Sequence, residues 1–138
     1  MRLLVVLACV LAGNEFYCST SPTALVFESC SSTTVTVVVA TGPVPITSWS
    51  PGCGMSRLIV LPDSGSSALW TVDGDAGASE NPIHSGVRYG QTPGEARTVA
   101  GPARLERGVT YRVEISRLIC EQGALCTLVP AGSARFQP

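Results

Sequence analysis

The chain has 138 residues, enough for one domain that buries its own core, and its 9 basic and 10 acidic side chains leave a net charge of -1. Every basic residue is an arginine, and the arginines are scattered among carboxylates. Because nucleic-acid binders neutralise phosphates with a dense basic stripe, this composition argues against a nucleic-acid partner.

Residues 1–13 have the pattern of an export signal. Arg2 supplies a positive charge, residues 3–12 are apolar, and the run closes on the small residues Ala12 and Gly13. The run is shorter than the roughly 20 apolar residues that cross a bilayer, so we expect no transmembrane helix. The alternative is a buried first strand, because the valines of this run also suit a sheet.

The end of this segment resembles a bacterial lipoprotein signal. In such signals leucine, alanine and glycine precede the cysteine that is lipidated, and here Leu11, Ala12 and Gly13 precede Asn14. The resemblance implies a bacterial protein exported to the periplasm, the cell envelope or the medium, without a lipid anchor at position 14. Cys9 is an alternative lipid site. Residues 14–22 are predicted to form a short polar tether, and residues 23–138 the folded domain.

Six cysteines in an exported chain predict disulfides, because export leads to an oxidising compartment. Cys120 and Cys126 flank Gly123, so a hairpin there sets them opposite each other and places Leu118 against Leu128.

The remaining cysteines allow a weaker prediction. Cys18 with Cys30 is the second choice of pair, which leaves Cys53 free in its turn once Cys9 departs with the signal. No spacing matches the paired C-x-x-C of a zinc or redox site.

Short runs with period-two alternation, separated by turn residues, predict an all-β fold. The clearest is Thr33 to Ala40, which places Val35, Val37 and Val39 on one face. Arg57 to Leu61 is apolar on both faces and is therefore predicted to lie inside a sheet. Strands are predicted at residues 23–28, 33–40, 46–50, 57–61, 68–72, 87–89, 98–105, 110–116, 118–120, 125–129 and 134–136. This spacing is typical of a single antiparallel β-sandwich or barrel.

Residues 105–115, from Leu105 through Gly108 and Tyr111, resemble the fibronectin type III pattern, and Trp49 resembles the tryptophan of that family's second strand. The resemblance implies a fibronectin type III-like or immunoglobulin-like sandwich with a tyrosine corner, in which the Tyr111 hydroxyl binds a backbone group a few residues upstream. It also implies an interaction or spacer module. The predicted core residues are Leu105, Trp49, Tyr111, Val113 and Ile115.

Residues 73–86 form the longest stretch without periodicity, and they contain the few candidates for chemistry. Asp73, Asp75 and Glu80 are weak candidates for calcium ligands, although the spacing does not match an EF-hand. The same acids with His84, the one histidine, would serve a small hydrolase, but no nucleophile elbow accompanies them. We predict no cofactor.

Three aromatic side chains offer one further hypothesis. Trp49, Trp70 and Tyr89 would suit a sugar-binding platform if exposed, whereas the favoured interpretation puts Trp49 and Tyr89 in the core and leaves Trp70 partly buried.

Together these patterns predict an exported, non-enzymatic binding or envelope accessory module whose partner is an unknown protein or envelope component. The alternatives are a passive structural protein of the envelope, or a small hydrolase or calcium-binding domain that uses residues 73–84.

Overall fold

The computed structural model describes residues 8–12, 15–19, 30, 34–75, 81–120 and 125–138. Within these ranges the chain forms β-strands and no helix. The strands are β1 (Ala8–Ala12), β2 (Glu15–Ser19), β3 (Thr36–Ala40), β4 (Ile46–Ser50), β5 (Arg57–Pro62), β6 (Trp70–Gly74), β7 (Val87–Arg88), β8 (Ala96–Ala100), β9 (Tyr111–Ile119) and β10 (Thr127–Phe136). No helix in the described ranges has the length and hydrophobicity that crossing a bilayer requires.

Two antiparallel sheets form the body of the domain. The larger has the order β10-β9-β5-β6-β8 and the smaller the order β3-β4-β7. This confirms the predicted all-β sandwich. The apolar run from Arg57 to Leu61 lies in β5, at the centre of the larger sheet, where Leu58 pairs with Ile115 and Val60 with Val113.

The core is built from the alternating faces of these strands. Tyr111, Val113 and Ile115 of β9 are all buried, and Trp49 of β4 is 5% exposed. Leu105 is half-buried and packs against the same cluster. Burial of each large apolar side chain contributes roughly 1.5–3 kcal/mol, so the period-two pattern supplies much of the stability of the sandwich.

The strand β10 joins the two sheets along one flank. The Val35 N–H donates to the Ala131 carbonyl at 2.9 Å, and β10 carries an irregularity between Pro130 and Gly132. A Cβ at Gly132 would lie 2.7 Å from the Val35 carbonyl oxygen, so glycine allows this close approach. The separate edge segment predicted at 134–136 is therefore the end of one long strand.

The strands β1 and β2 form a separate two-stranded antiparallel sheet, in whose register Cys9 lies opposite Cys18. These strands fall in the segments predicted as signal and tether. The sequence of β2 contains Phe16 and Tyr17, and aromatic residues favour strands over tethers. The strand predicted at 23–28 lies outside the described residues.

The disulfides are Cys120–Cys126, with Cα atoms 4.1 Å apart, and Cys30–Cys53, with Cα atoms 5.6 Å apart. The first is the predicted pair, and Leu118 faces Leu128 as expected. The prediction that Cys30 pairs with Cys18 and leaves Cys53 free is wrong. Cys53 is 2% exposed, because its turn folds inward where the Trp49 indole N–H donates to the Cys53 carbonyl.

Candidate binding groove at one end of the sandwich

Asp73, the first predicted calcium ligand, is committed to an ion pair. Arg57 and Asp73 are opposed on β5 and β6, and both carboxylate oxygens accept hydrogen bonds from the guanidinium, at 2.6 and 2.9 Å. The hydrogen bond that Arg57 donates to Asp73, opposed in part by burial, raises the pKa of Arg57. Because both oxygens accept from Arg57, this ion pair competes with calcium binding and with a role of Asp73 as a base.

Among the described residues, the candidates Asp75 and His84 form no metal-binding group with Asp73. Asp75 is exposed and lies 3.9 Å from Arg97, His84 is exposed, and Glu80 lies outside the described residues. In the described part of the chain, no three histidine, cysteine or acidic side chains are grouped closely enough to hold a metal ion. Among the described residues, Asp73, Asp75 and His84 therefore form no grouping that would hold a calcium ion.

Trp49 and Trp70 belong to the core, whereas Tyr89, which was also predicted there, is half-buried against it. Trp49 and Trp70 are 5% and 1% exposed, so the prediction that Trp70 is partly buried is wrong. Tyr89 packs against Trp70 with ring centroids 5.1 Å apart and planes at 66°, an edge-to-face contact. This contact uses the Trp70 ring, so the three aromatic side chains present no shared stacking surface to a sugar.

The candidate site is a groove of about 890 Å³ at one end of the sandwich. One wall is the β3–β4 loop, and the other is the segment between β8 and β9. Its lining residues are Thr41, Gly42, Pro43, Val44, Pro45, Tyr89, Ala103, Arg104, Leu105, Arg107, Gln137 and Pro138. We call it the end groove.

Tyr89 holds the two walls together. Its N–H donates to the Pro45 carbonyl at 2.9 Å, and its hydroxyl donates to the Ala103 carbonyl at 2.7 Å. Burial, followed by the charge interaction with Tyr111, raises the pKa of Tyr89 to about 12. The hydroxyl therefore remains a donor at neutral pH.

Gly101 directs the second wall past the larger sheet. Its φ is +74°, and a Cβ at this position would overlap the Leu69 carbonyl oxygen. That same oxygen accepts the Ala103 N–H at 2.9 Å. Glycine is required here because it tolerates both the left-handed conformation and the close approach.

The predicted tyrosine corner fixes the rest of this wall. Tyr111 is 3% exposed, and its hydroxyl accepts the Glu106 N–H at 2.8 Å. Leu105 is half-buried against the core, so the wall is anchored on both sides of Arg104 and next to Arg107. Two exposed arginines are thus held on a backbone that is tied to the core.

Arg104 and Arg107 differ from most other arginines of the chain. Within the described residues neither lies within 4 Å of a carboxylate, whereas four others do, namely Arg57, Arg97, Arg112 and Arg135. No aspartate or glutamate side chain lines the groove. Among the apolar lining residues, Val44 is 41% exposed. The end groove therefore combines two arginines that have no ion-pair partner among the described residues with accessible apolar surface.

Sequence reasoning did not single out this groove. The carboxylates that pair with Arg57 and Arg135 lie 16 or more residues away along the chain, so the sequence does not show which arginines stay unpaired. The proline-rich TGPVP loop and the unusually basic 104–107 segment were the only signals available.

Comparison of the chain with models of known protein families, with curated proteins and with solved structures finds no match. The fold itself, two antiparallel sheets in an all-β sandwich, defines the class of the protein.

Proposed function

We propose that the protein is an exported, non-enzymatic binding module that holds a partner in the end groove. The observation that carries the proposal is the pair Arg104 and Arg107, which line an open groove without an ion-pair partner among the described residues. Exposed arginines beside apolar surface are typical of interface anchors, because arginine contributes both charge-assisted hydrogen bonds and stacking.

The fibronectin-like part of the proposal has support from local geometry. The Tyr111 corner and the buried Trp49 occupy the positions that the resemblance implies, and loops at the ends of such sandwiches serve binding in many proteins. Fold alone does not determine function, so the proposal depends on the groove.

The disulfides favour export. Cys30–Cys53 and Cys120–Cys126 would be reduced in most cytosols and persist in oxidising compartments such as the periplasm. A binding module with these crosslinks suits the periplasm, the envelope or the medium.

The test compares protein capture from an envelope extract by three immobilised versions of the chain. These are the unmodified protein, the double variant Arg104→Ala/Arg107→Ala, and the control Arg88→Ala. Arg88 is also exposed and without an ion pair among the described residues, but it lies outside the end groove. We expect partners retained by the unmodified protein and the control to be lost from the double variant, with melting curves unchanged. Equal capture by all three would refute the groove as the binding site.

A further inference from the structure

We infer that the end groove recognises an acidic polypeptide segment that also carries apolar side chains. This inference rests on the proposed function and adds the chemistry of the partner. The partner has to meet two requirements. It needs negative charge to pair with Arg104 and Arg107, and it needs apolar side chains to contact Val44 and Leu105.

The charge requirement follows from the lining. Both guanidiniums are exposed, Glu106 lies between them in sequence, and the lining holds no acidic side chain that would neutralise them. A guanidinium offers planar paired donors that match a carboxylate in a bidentate geometry. Carboxylates on the partner would supply the acceptors that the described part of this chain does not provide.

A nucleic acid or an anionic membrane fits the groove less well than a polypeptide. Such polyanions are bound through many phosphate contacts, whereas the groove presents two arginines on a chain of net charge -1. A phosphate backbone would make no apolar contact with the apolar lining residues, which are Pro43, Val44, Pro45 and Leu105. A polypeptide with mixed side chains uses both kinds of surface.

The backbone of the walls does not favour recognition by strand addition at Pro43, Pro45 and Ala103. Pro43 and Pro45 have no N–H, the Pro45 carbonyl accepts from Tyr89, and both polar backbone groups of Ala103 are already bonded. Adding a strand needs free backbone donors and acceptors on the receiving edge. The inference therefore places specificity in the side chains, so that charge and apolar contact define the partner.

The experiment measures fluorescence anisotropy with a fluorescein-labelled peptide of alternating glutamate and valine, and with a matched peptide of alternating glutamine and valine. We expect the glutamine peptide to bind at least about tenfold more weakly, a difference of about 1.4 kcal/mol. The glutamate peptide should lose at least about as much affinity on Arg104→Ala/Arg107→Ala. Arg88→Ala should bind it normally.

Two further measurements distinguish recognition by the planar guanidinium donors from attraction by positive charge alone. Arg104→Lys/Arg107→Lys keeps both positive charges and should recover only part of the affinity, because lysine lacks the planar fork. Unlabelled single-stranded DNA and vesicles containing phosphatidylglycerol are added as competitors and should displace the peptide poorly. Stronger displacement by either, or equal binding of the two peptides, would overturn the inference.

Failure of the inference is distinguishable from failure of the proposed function. If extract capture depends on Arg104 and Arg107 but the glutamate peptide does not bind, the groove is a binding site and the inferred chemistry is wrong. If extract capture is independent of both arginines, the proposed function itself fails.

Discussion

At the scale of single residues, Tyr89 performs two tasks that belong to different levels of the structure. Its ring packs on Trp70 in the core, and its polar atoms hold the walls of the end groove in place. A buried ring with a hydroxyl at a wet edge is a common use of tyrosine. Here it means that the groove cannot widen without disturbing the core.

The first prediction concerns the alkaline stability of Tyr89→Phe. In the folded chain the pKa of Tyr89 is raised to about 12 from 10.0, so its stabilising contribution is complete below pH 10 and is lost as the pH rises towards 12. We expect the free energy of unfolding to fall in this window for the unmodified protein and less steeply for Tyr89→Phe. Urea denaturation at a series of pH values measures both slopes, and parallel curves would show that Tyr89 is not the group responsible.

Tyr111→Phe tests the corner without emptying the core. The ring stays buried, but the Glu106 N–H loses its acceptor, so we expect a destabilisation of about 1 kcal/mol. Thermal melting of the two proteins measures the loss. An unchanged melting temperature would mean that water replaces the hydroxyl at no cost. The corner would then not hold the segment between β8 and β9 that carries Arg104 and Arg107.

At the scale of elements, the sequence predicts strands well where alternation is local and poorly where the ends depend on distant partners. The strand β4 begins and ends at the predicted residues, 46 and 50. By contrast β9 continues beyond the predicted Ser116 to Ile119, because it pairs with β10 past the point where its alternation ends. Strand β8 ends before Gly101, whereas the apolar pattern extends it to residue 105.

Gly101 shows why that boundary was missed and provides a matched test. Gly101 and Gly108 both have positive φ, at +74° and +78°, but only a Cβ at Gly101 would meet another atom, the Leu69 carbonyl oxygen. Gly108→Ala should cost only the conformational penalty of about 1–2 kcal/mol. Gly101→Ala should cost clearly more, because the wall must also move. Equal losses in denaturant unfolding would show that the close approach at Gly101 is not restrictive.

The core and one disulfide follow from local pattern, whereas the candidate site does not. The sequence around Trp49 and Tyr111 predicts both in the core, and the short turn predicts the pair of Cys120 and Cys126, as the structure has them. The end groove depends on which arginines find carboxylates across strands, as Arg57 does with Asp73. Register sets those partners, and register is a property of the whole sheet.

At the scale of the whole molecule, the two disulfides constrain chain segments of different length. Cys30–Cys53 spans 23 residues and Cys120–Cys126 spans 6. Loop-closure entropy gives about 3.4 kcal/mol for the longer link and about 2.2 kcal/mol for the shorter. We expect Cys30→Ala/Cys53→Ala to lower the free energy of unfolding more than Cys120→Ala/Cys126→Ala. If urea denaturation shows the larger loss for Cys120→Ala/Cys126→Ala, the disulfide that closes the longer loop is not the more stabilising one.

Because β1 and β2 place Cys9 opposite Cys18, the number of free thiols per chain reports whether the N-terminal segment has been removed. Four of the six cysteines are joined in pairs, and the remaining two, Cys9 and Cys18, are opposed in register. If the predicted signal is removed after residue 13, Cys18 has no partner left in its own chain, and the mature protein should titrate one thiol per chain under denaturing conditions. An unprocessed chain carries six cysteines, which can all pair on oxidation, so it can show no free thiol in the titration. Ellman titration of protein recovered from an exporting bacterial host therefore reports on processing. A value near zero for protein that runs as a monomer on a non-reducing gel would indicate that the first 13 residues stay on the chain.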